Sequence, residues 1–222
     1  MKNSNSSKKK NSKKKAIKTS VSLITEEIYQ KELTNIFSNT FSMDPAFVWI
    51  YQKNIWEKFS RLCPILFNLG LKYKALYYSG KEPNGFALWI PPGVDVTFAE
   101  LIRLGFLGAL FDAGLFATIR LLRAFIYNEN KKPKLMPENS WYLFFLAVDE
   151  NFRNQKIGEQ LLKPVLAHAD KNNHHCYLES SNPRNLNFYR KMGFDIVFES
   201  TLGNLNDSPQ IFFLLRKPRS KY

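Results

Sequence analysis

The segment Trp141–Val148 (WYLFFLAV) is an almost unbroken apolar run of strand length, and few folds accommodate one. A strand without polar alternation has to be covered on both faces, which predicts a central strand in a layered α/β domain. The residues after the run narrow the choice. Asp149 to Gly158 is a polar loop that turns directly into a helix, with Ile157, Leu161, Leu162, Val165, Leu166 and Ala169 on its inner side. A helix start reached this way presents backbone N–H groups without partners and the positive end of the helix dipole, so it can hold a pyrophosphate with no dedicated side chain. A small residue such as Gly158 lets phosphates approach the backbone.

Other elements can be read around this unit. Thr19–Ile24 predicts a strand and Glu26–Asn39 a helix; Asn54–Asn68 predicts a second helix, kinked or restarted at Pro64 and closed by Gly70. Tyr73–Tyr78 and Phe86–Ile90 predict a hairpin around the turn formers of 79–85. Pro91-Pro92-Gly93 ends it, and Phe98–Tyr127 predicts one or two helices before a loop, Asn128–Ser140, broken by Pro133 and Pro137. Cys176–Ser181 predicts a second central strand, while Phe194–Ser200 and Gln210–Arg216 supply the last two. Pro164, inside the helix after the polar loop, violates local rules and implies a kink tolerated through packing.

Charge is distributed unevenly. Of the net thirteen positive charges, eight are lysines within Met1–Ser20, a stretch without acids, and four more lie in the last seven residues. The rest of the chain is near neutral, which argues against a DNA-binding face built into the fold. The expected organisation is a disordered lysine-rich arm (1–18), one globular domain (19–217) and a basic C-terminal tail (218–222). No apolar segment follows the lysines, so the arm is not read as a signal peptide. The apolar stretch Leu104–Ile119 is interrupted by Asp112 and falls short of the roughly 20 residues a spanning helix needs. Cys63 and Cys176 form neither a disulfide framework nor a zinc ligand set, consistent with a reducing compartment. The expectation is a cytoplasmic protein, with the arm as a nuclear address or a loose contact for nucleic acid.

Two motifs carry a family resemblance. The loop from Arg153 through Lys156 to Gly158 is similar to the coenzyme A loop of the GNAT acyltransferase superfamily, Arg or Gln, two residues, Gly, one residue, Gly or Ala; Lys156 stands where the first Gly is usual. Asn182, seven residues before Tyr189, and Tyr189-Arg190-Lys191-Met192-Gly193-Phe194 resemble its second signature. Ala87–Gly93, Trp141–Val148 and Tyr177-Leu178-Glu179 with Pro183-Arg184-Asn185 are most similar to the puromycin N-acetyltransferase-like branch. The resemblance implies the GNAT fold, an α/β sandwich around a mixed, mostly antiparallel sheet of six or seven strands flanked by helices on both faces. It also implies an N-acetyltransferase that moves an acetyl group from acetyl-CoA to an amine acceptor in a ternary complex. The cofactor contacts would come from Leu146, Ala147 and Val148 on the first central strand, from Arg153, Asn154, Gln155, Lys156, Ile157 and Gly158, and from Asn182, Asn185 and Tyr189. Tyr189 would protonate the departing thiolate, a phenol being a suitable acid for it.

The general base is open at this level, with Glu179 first and Asp149 second. The direction of the Glu179 side chain depends on strand register. His168, His174 and His175 do not suggest a metal site and are expected to be solvated or capping; no metal is expected. The segment Phe98–Tyr127 is expected to roof the acceptor pocket, or to pack in the core. Two other functions remain: a coenzyme A-binding module without catalysis, and a polyanion-binding protein acting through its lysine arm.

Overall fold

A computed structural model describes residues 20–24 and 29–219. The lysine-rich arm and the expected start of the first helix at Glu26 lie outside the described residues, as does the end of the C-terminal tail. The strands are β1 (Val21–Leu23), β2 (Leu76–Ser79), β3 (Gly85–Ile90), β4 (Ser140–Val148), β5 (His175–Ser180), β6 (Asp195–Thr201) and β7 (Gln210–Arg216). They form one seven-stranded sheet in the order β1-β2-β3-β4-β5-β7-β6, antiparallel everywhere except at β4·β5. This is the mixed, mostly antiparallel seven-stranded arrangement that the resemblance implies.

The helices are α1 (Gln30–Phe41), α2 (Pro45–Tyr51), α3 (Ile55–Lys72), α4 (Phe98–Arg103), α5 (Phe106–Ala113), α6 (Leu115–Leu135), α7 (Ile157–Lys171) and α8 (Leu186–Lys191). Period-two alternation splits the strand residues between two cores. Phe86, Leu88, Tyr177 and Phe213 pack with α1, α3, α5 and α6; Ala87, Trp89, Leu178 and Leu214 pack with α7 and α8. Every residue of β3 is buried, as its position between two strands and two helical layers requires. No helix among the described residues is long and apolar enough to cross a membrane.

Several local expectations are overturned by packing. Gly70 does not close α3, which runs on to Lys72 and passes through Pro64. The glycine serves a close approach instead: a Cβ there would lie 2.8 Å from both Leu76 Cβ and Leu88 Cδ1, where the helix crosses the sheet. Phe98–Tyr127 forms three helices, and residues 128–135 belong to α6 rather than to a loop, so Pro133 sits inside a helix. Buried faces offset the hydrogen bond that proline omits at Pro64 in α3 and at Pro164 in α7, whose predicted inner residues are all buried. Helix α2 is an addition to the expected elements, although Asp44-Pro45 carries its signature: Asp44 caps the helix by accepting from the Ala46 N–H, and proline occupies the first turn.

Candidate active site

The site arises from an interruption in the sheet. β4 pairs with β3 along nearly its whole length, from Ile90↔Tyr142 to Gly85↔Val148. Its pairing with β5 stops at Leu143↔Leu178, so beyond that point the two parallel strands part and the 144–148 edge has no partner strand on that side. A cavity of about 1050 Å³ opens there, lined by the parted strands, α6, and the starts of α7 and α8.

At its mouth lies the start of α7. Lys156 precedes the helix with φ 63° and ψ 18°, and no side chain caps the first-turn N–H groups of Ile157, Gly158 and Glu159. Asn154 is also left-handed, with φ 62°. Two non-glycine residues in this region bend the Arg153–Lys156 loop sharply enough to aim the helix start at the cavity. A lysine therefore occupies a conformation that glycine adopts without strain, which explains why the family pattern has glycine there. Gly158 faces Phe188: a Cβ at this position would lie 3.1 Å from the ring, so its smallness also serves the contact between α7 and α8. Unpaired backbone donors, the Lys156 and Arg153 cations and an open strand edge suit the phosphates and amide groups of coenzyme A.

Of the expected cofactor residues, Leu146, Val148, Arg153, Asn154, Lys156, Ile157, Gly158, Asn182, Asn185 and Tyr189 line the cavity; Ala147 and Gln155 do not. Ala147 is fully buried in the core opposite β3, and the Gln155 amide donates to the Asn151 carbonyl at 3.2 Å. Asn182 is engaged locally, its side chain accepting from the Arg184 N–H at 3.1 Å.

Register decides the direction of Glu179. It shares the face of Tyr177, toward α6, and lines the cavity. Its Oε1 accepts from the Tyr177 hydroxyl at 2.8 Å, and its Oε2 from Asn128 Nδ2 at 2.9 Å and the Tyr142 hydroxyl at 3.3 Å. Burial nevertheless raises its pKa above the usual carboxylate range. Asp149 does not reach the cavity; its carboxylate accepts from the Asn151 N–H at 2.8 Å and caps a short turn.

The sequence missed a second acid. Asp44 lines the cavity, and its Oδ1 accepts from the Ser181 hydroxyl at 2.7 Å, an interaction spanning 137 positions. Burial raises its pKa, against the lowering effect of its hydrogen bonds to Ser181 and Ala46. The Tyr189 phenol, buried on α8, is held well above its ordinary pKa by desolvation first and by the Asp44 charge second. One cavity thus holds a phenol kept protonated and two carboxylates with raised proton affinity, a set suited to opposite proton transfers.

None of the three histidines lines this cavity. His168 and His174 come together, 6.5 Å between ring centroids, with Trp141 against His168, and no cluster of three or more His, Cys, Asp or Glu among the described residues could hold a metal.

A sheet that parts beneath an uncapped helix start, with a phenol and two carboxylates lining the opening, is the framework of an acyl-coenzyme A-dependent N-acyltransferase. Residues 79–194, just over half of the chain, match the Acetyltransferase (GNAT) family, and the chain belongs to that family. It is 22% identical over 202 residues to an uncharacterized N-acetyltransferase of Schizosaccharomyces pombe, covering 87% of this chain and 81% of the relative. Among solved structures it is similar to arylalkylamine N-acetyltransferase 2 of Aedes aegypti, with TM-score 0.60, 12% identity and coverage of 91% and 100% of the two chains. It is also similar to a Corynebacterium glutamicum structure described as histone acetyltransferase HPA2 and related acetyltransferase, with TM-score 0.57, 17% identity and coverage of 91% and 98%.

Proposed function

We propose that this N-acetyltransferase acetylates a small amine with an apolar body, using Tyr189 as general acid and Asp44 as general base. The observation that carries the reading is that Tyr189 and Asp44 line one cavity at the parted strands, where burial first and the Asp44 charge second raise the phenol's pKa. Acetyl-coenzyme A supplies the acetyl group as a reactive thioester. The start of α7, with Lys156 and Arg153, holds the phosphates, and the open 144–148 edge of β4 aligns the amide-bearing arm. Asp44 accepts the proton that the amine loses as its nitrogen bonds to the acetyl carbon. As the carbon–sulfur bond breaks, Tyr189 gives its proton to sulfur, so an amide and a free thiol result.

Asp44 is favoured over Glu179 as base because its charge is felt at Tyr189, the group that serves the sulfur. Glu179, fixed by Tyr177, Tyr142 and Asn128, is assigned to binding the acceptor's ammonium group. The lining supports an acceptor class. Phe47, Phe106, Phe125, Phe144 and Phe145 line the same cavity as the two acids, and the lining by Leu121, Phe125 and Asn128 of α6 supports a role for this helix over the acceptor. An apolar body with one cationic amine fits that lining. Motif similarity to the puromycin N-acetyltransferase-like branch and the arylalkylamine enzyme among the structural relatives support the same class.

The test combines calorimetric titration of acetyl-coenzyme A with thiol-release assays on arylalkylamines, linear diamines and amino acids. Tyr189→Phe is expected to keep acetyl-coenzyme A affinity within a factor of about two while losing turnover by about a hundredfold, the usual worth of a general acid. Full turnover in that variant, with chemistry rate-limiting, would remove Tyr189 from the mechanism; absence of acetyl-coenzyme A binding to the folded parent would remove the transfer reading altogether.

A further inference from the structure

Helices α5 and α6 form a hairpin joined at Gly114, and its two faces differ from those of the other helices. The inner face is accounted for: Phe106, Leu110, Ala117 and Ala124 are buried. The outer face is apolar too. Phe111 is 89% exposed, Phe116 75% and Leu115 71%, and Leu107, Ile119 and Ile126 continue the same surface. On α6 the spacing of Leu115, Ile119 and Ile126 lays them along one stripe, on α5 Leu107 and Phe111 lie one turn apart, and Phe111, Leu115 and Phe116 flank the joint between the two helices. Six large apolar side chains grouped on two adjoining elements mark an interaction surface rather than the scattered exposure normal for soluble domains.

The chemistry of the surroundings identifies what covers this strip. Between Phe98 and Tyr127 the charges are Glu100, Asp112, Arg103, Arg120 and Arg123. Both acids are already paired, Glu100 with Lys72 and Tyr73 and Asp112 with Arg61. Arg103 and Arg123 are both exposed and add positive charge to the same segment. The chain before Ser20, the first described residue, carries eight lysines and no acid. The strip consists of Phe, Leu and Ile, apolar residues of the kind that an interfacial helix buries at the acyl boundary. Aliphatic and phenyl groups with unopposed cations match the boundary of a bilayer, where apolar side chains enter the acyl region and lysines meet anionic headgroups.

We infer that the α5–α6 hairpin docks on an anionic lipid bilayer surface, inserting Phe111, Leu115 and Phe116, with the N-terminal lysines supplying electrostatic attraction. This goes beyond acetyl transfer and does not depend on it. The hairpin lies flat on the membrane and spans nothing, in keeping with its length and with Asp112 at its tip.

The test uses the full chain and vesicles of phosphatidylcholine, alone or with about one-third phosphatidylserine, in co-sedimentation. The parent is expected to partition onto the phosphatidylserine vesicles, at least about tenfold more weakly at high salt and after deletion of residues 1–18. The double variant Phe111→Ser/Phe116→Ser is expected to lose at least about tenfold in partitioning while keeping the parental Tm, because both side chains are exposed. The inference is overturned if the parent binds neither vesicle, or if the double variant binds as the parent does, which would leave the lysines alone responsible. It is equally overturned by a dimer in sedimentation velocity that the double variant abolishes while vesicle binding is absent, which would assign the strip to a second copy of the chain.

Discussion

Lys156 offers a prediction in which stability and ligand affinity move in opposite directions. Its backbone, at φ 63° and ψ 18°, costs an L-residue about 1–2 kcal/mol relative to ordinary conformations. Glycine removes that cost but brings about 0.5–1 kcal/mol of extra chain entropy to the unfolded state. The balance for Lys156→Gly is a gain of about 0.5–1 kcal/mol, equivalent to a rise of about 1–4 °C in Tm for a chain of this size. Lys156 is exposed at the cavity mouth, so its interaction with a phosphate is worth no more than about 1 kcal/mol, and acetyl-coenzyme A affinity should fall by about two- to fivefold. Lys156→Ala separates the two effects: it removes the charge but keeps a Cβ in the left-handed conformation, so affinity should fall equally with no gain in Tm. Scanning calorimetry and isothermal titration on the three proteins read both quantities. A glycine variant no more stable than the alanine variant would refute the strain argument, and parental affinity in both would remove Lys156 from phosphate binding.

The same geometry leads to three further outcomes. Asp44→Asn retains the cap on α2, since asparagine caps as well as aspartate, and should leave stability within about 0.5 kcal/mol while lowering turnover by about 10²–10⁴-fold; the parent's acidic limb in kcat/KM should lie above the ordinary carboxylate range because burial raises this group's pKa, and an unchanged rate in the variant would exclude Asp44 as base. Glu179 has a folded pKa raised above its unfolded value of about 4.3, so it holds its proton longer when folded and costs stability as pH rises through that interval. Glu179→Gln should therefore raise Tm more at pH 8 than at pH 5, and an equal shift at both, measured by differential scanning fluorimetry, would contradict the burial effect. Gly70→Ala should destabilise by about 1–3 kcal/mol in urea unfolding, because its Cβ would overlap Leu76 and Leu88; a neutral result would mean that α3 can shift away from the sheet.

The sequence alone determined features that depend on near neighbours. The apolar run ending at Val148, the polar loop and the amphipathic helix after it form one strand-loop-helix unit, and every residue assigned to the inner side of α7 is buried. Gly193 ends α8 with φ 92°, and Phe194 after it is fully buried, in agreement with their spacing from Tyr189. Such features are legible because helical period, strand length and left-handed glycine positions act over a few residues.

Tertiary structure decided what proximity decides. No local rule connects Asp44 with Ser181 or Tyr189, since desolvation and charge act through space and these residues lie on α2's cap, the end of β5 and α8. Prolines 64 and 133 should end helices by local propensity, yet the cores behind α3 and the hydrogen bond from Asn128 to Glu179 beneath α6 hold those helices in place. The direction of Glu179 rested on register, which the pairing of β5 with β7 fixes. Above all, the parting of β4 from β5 after Leu143 is invisible in either strand's sequence, because both retain ordinary strand composition where their shared ladder ends. The opening exists because β4 stays paired to β3 while β5 turns to β7, a balance of pairings that only the assembled sheet contains.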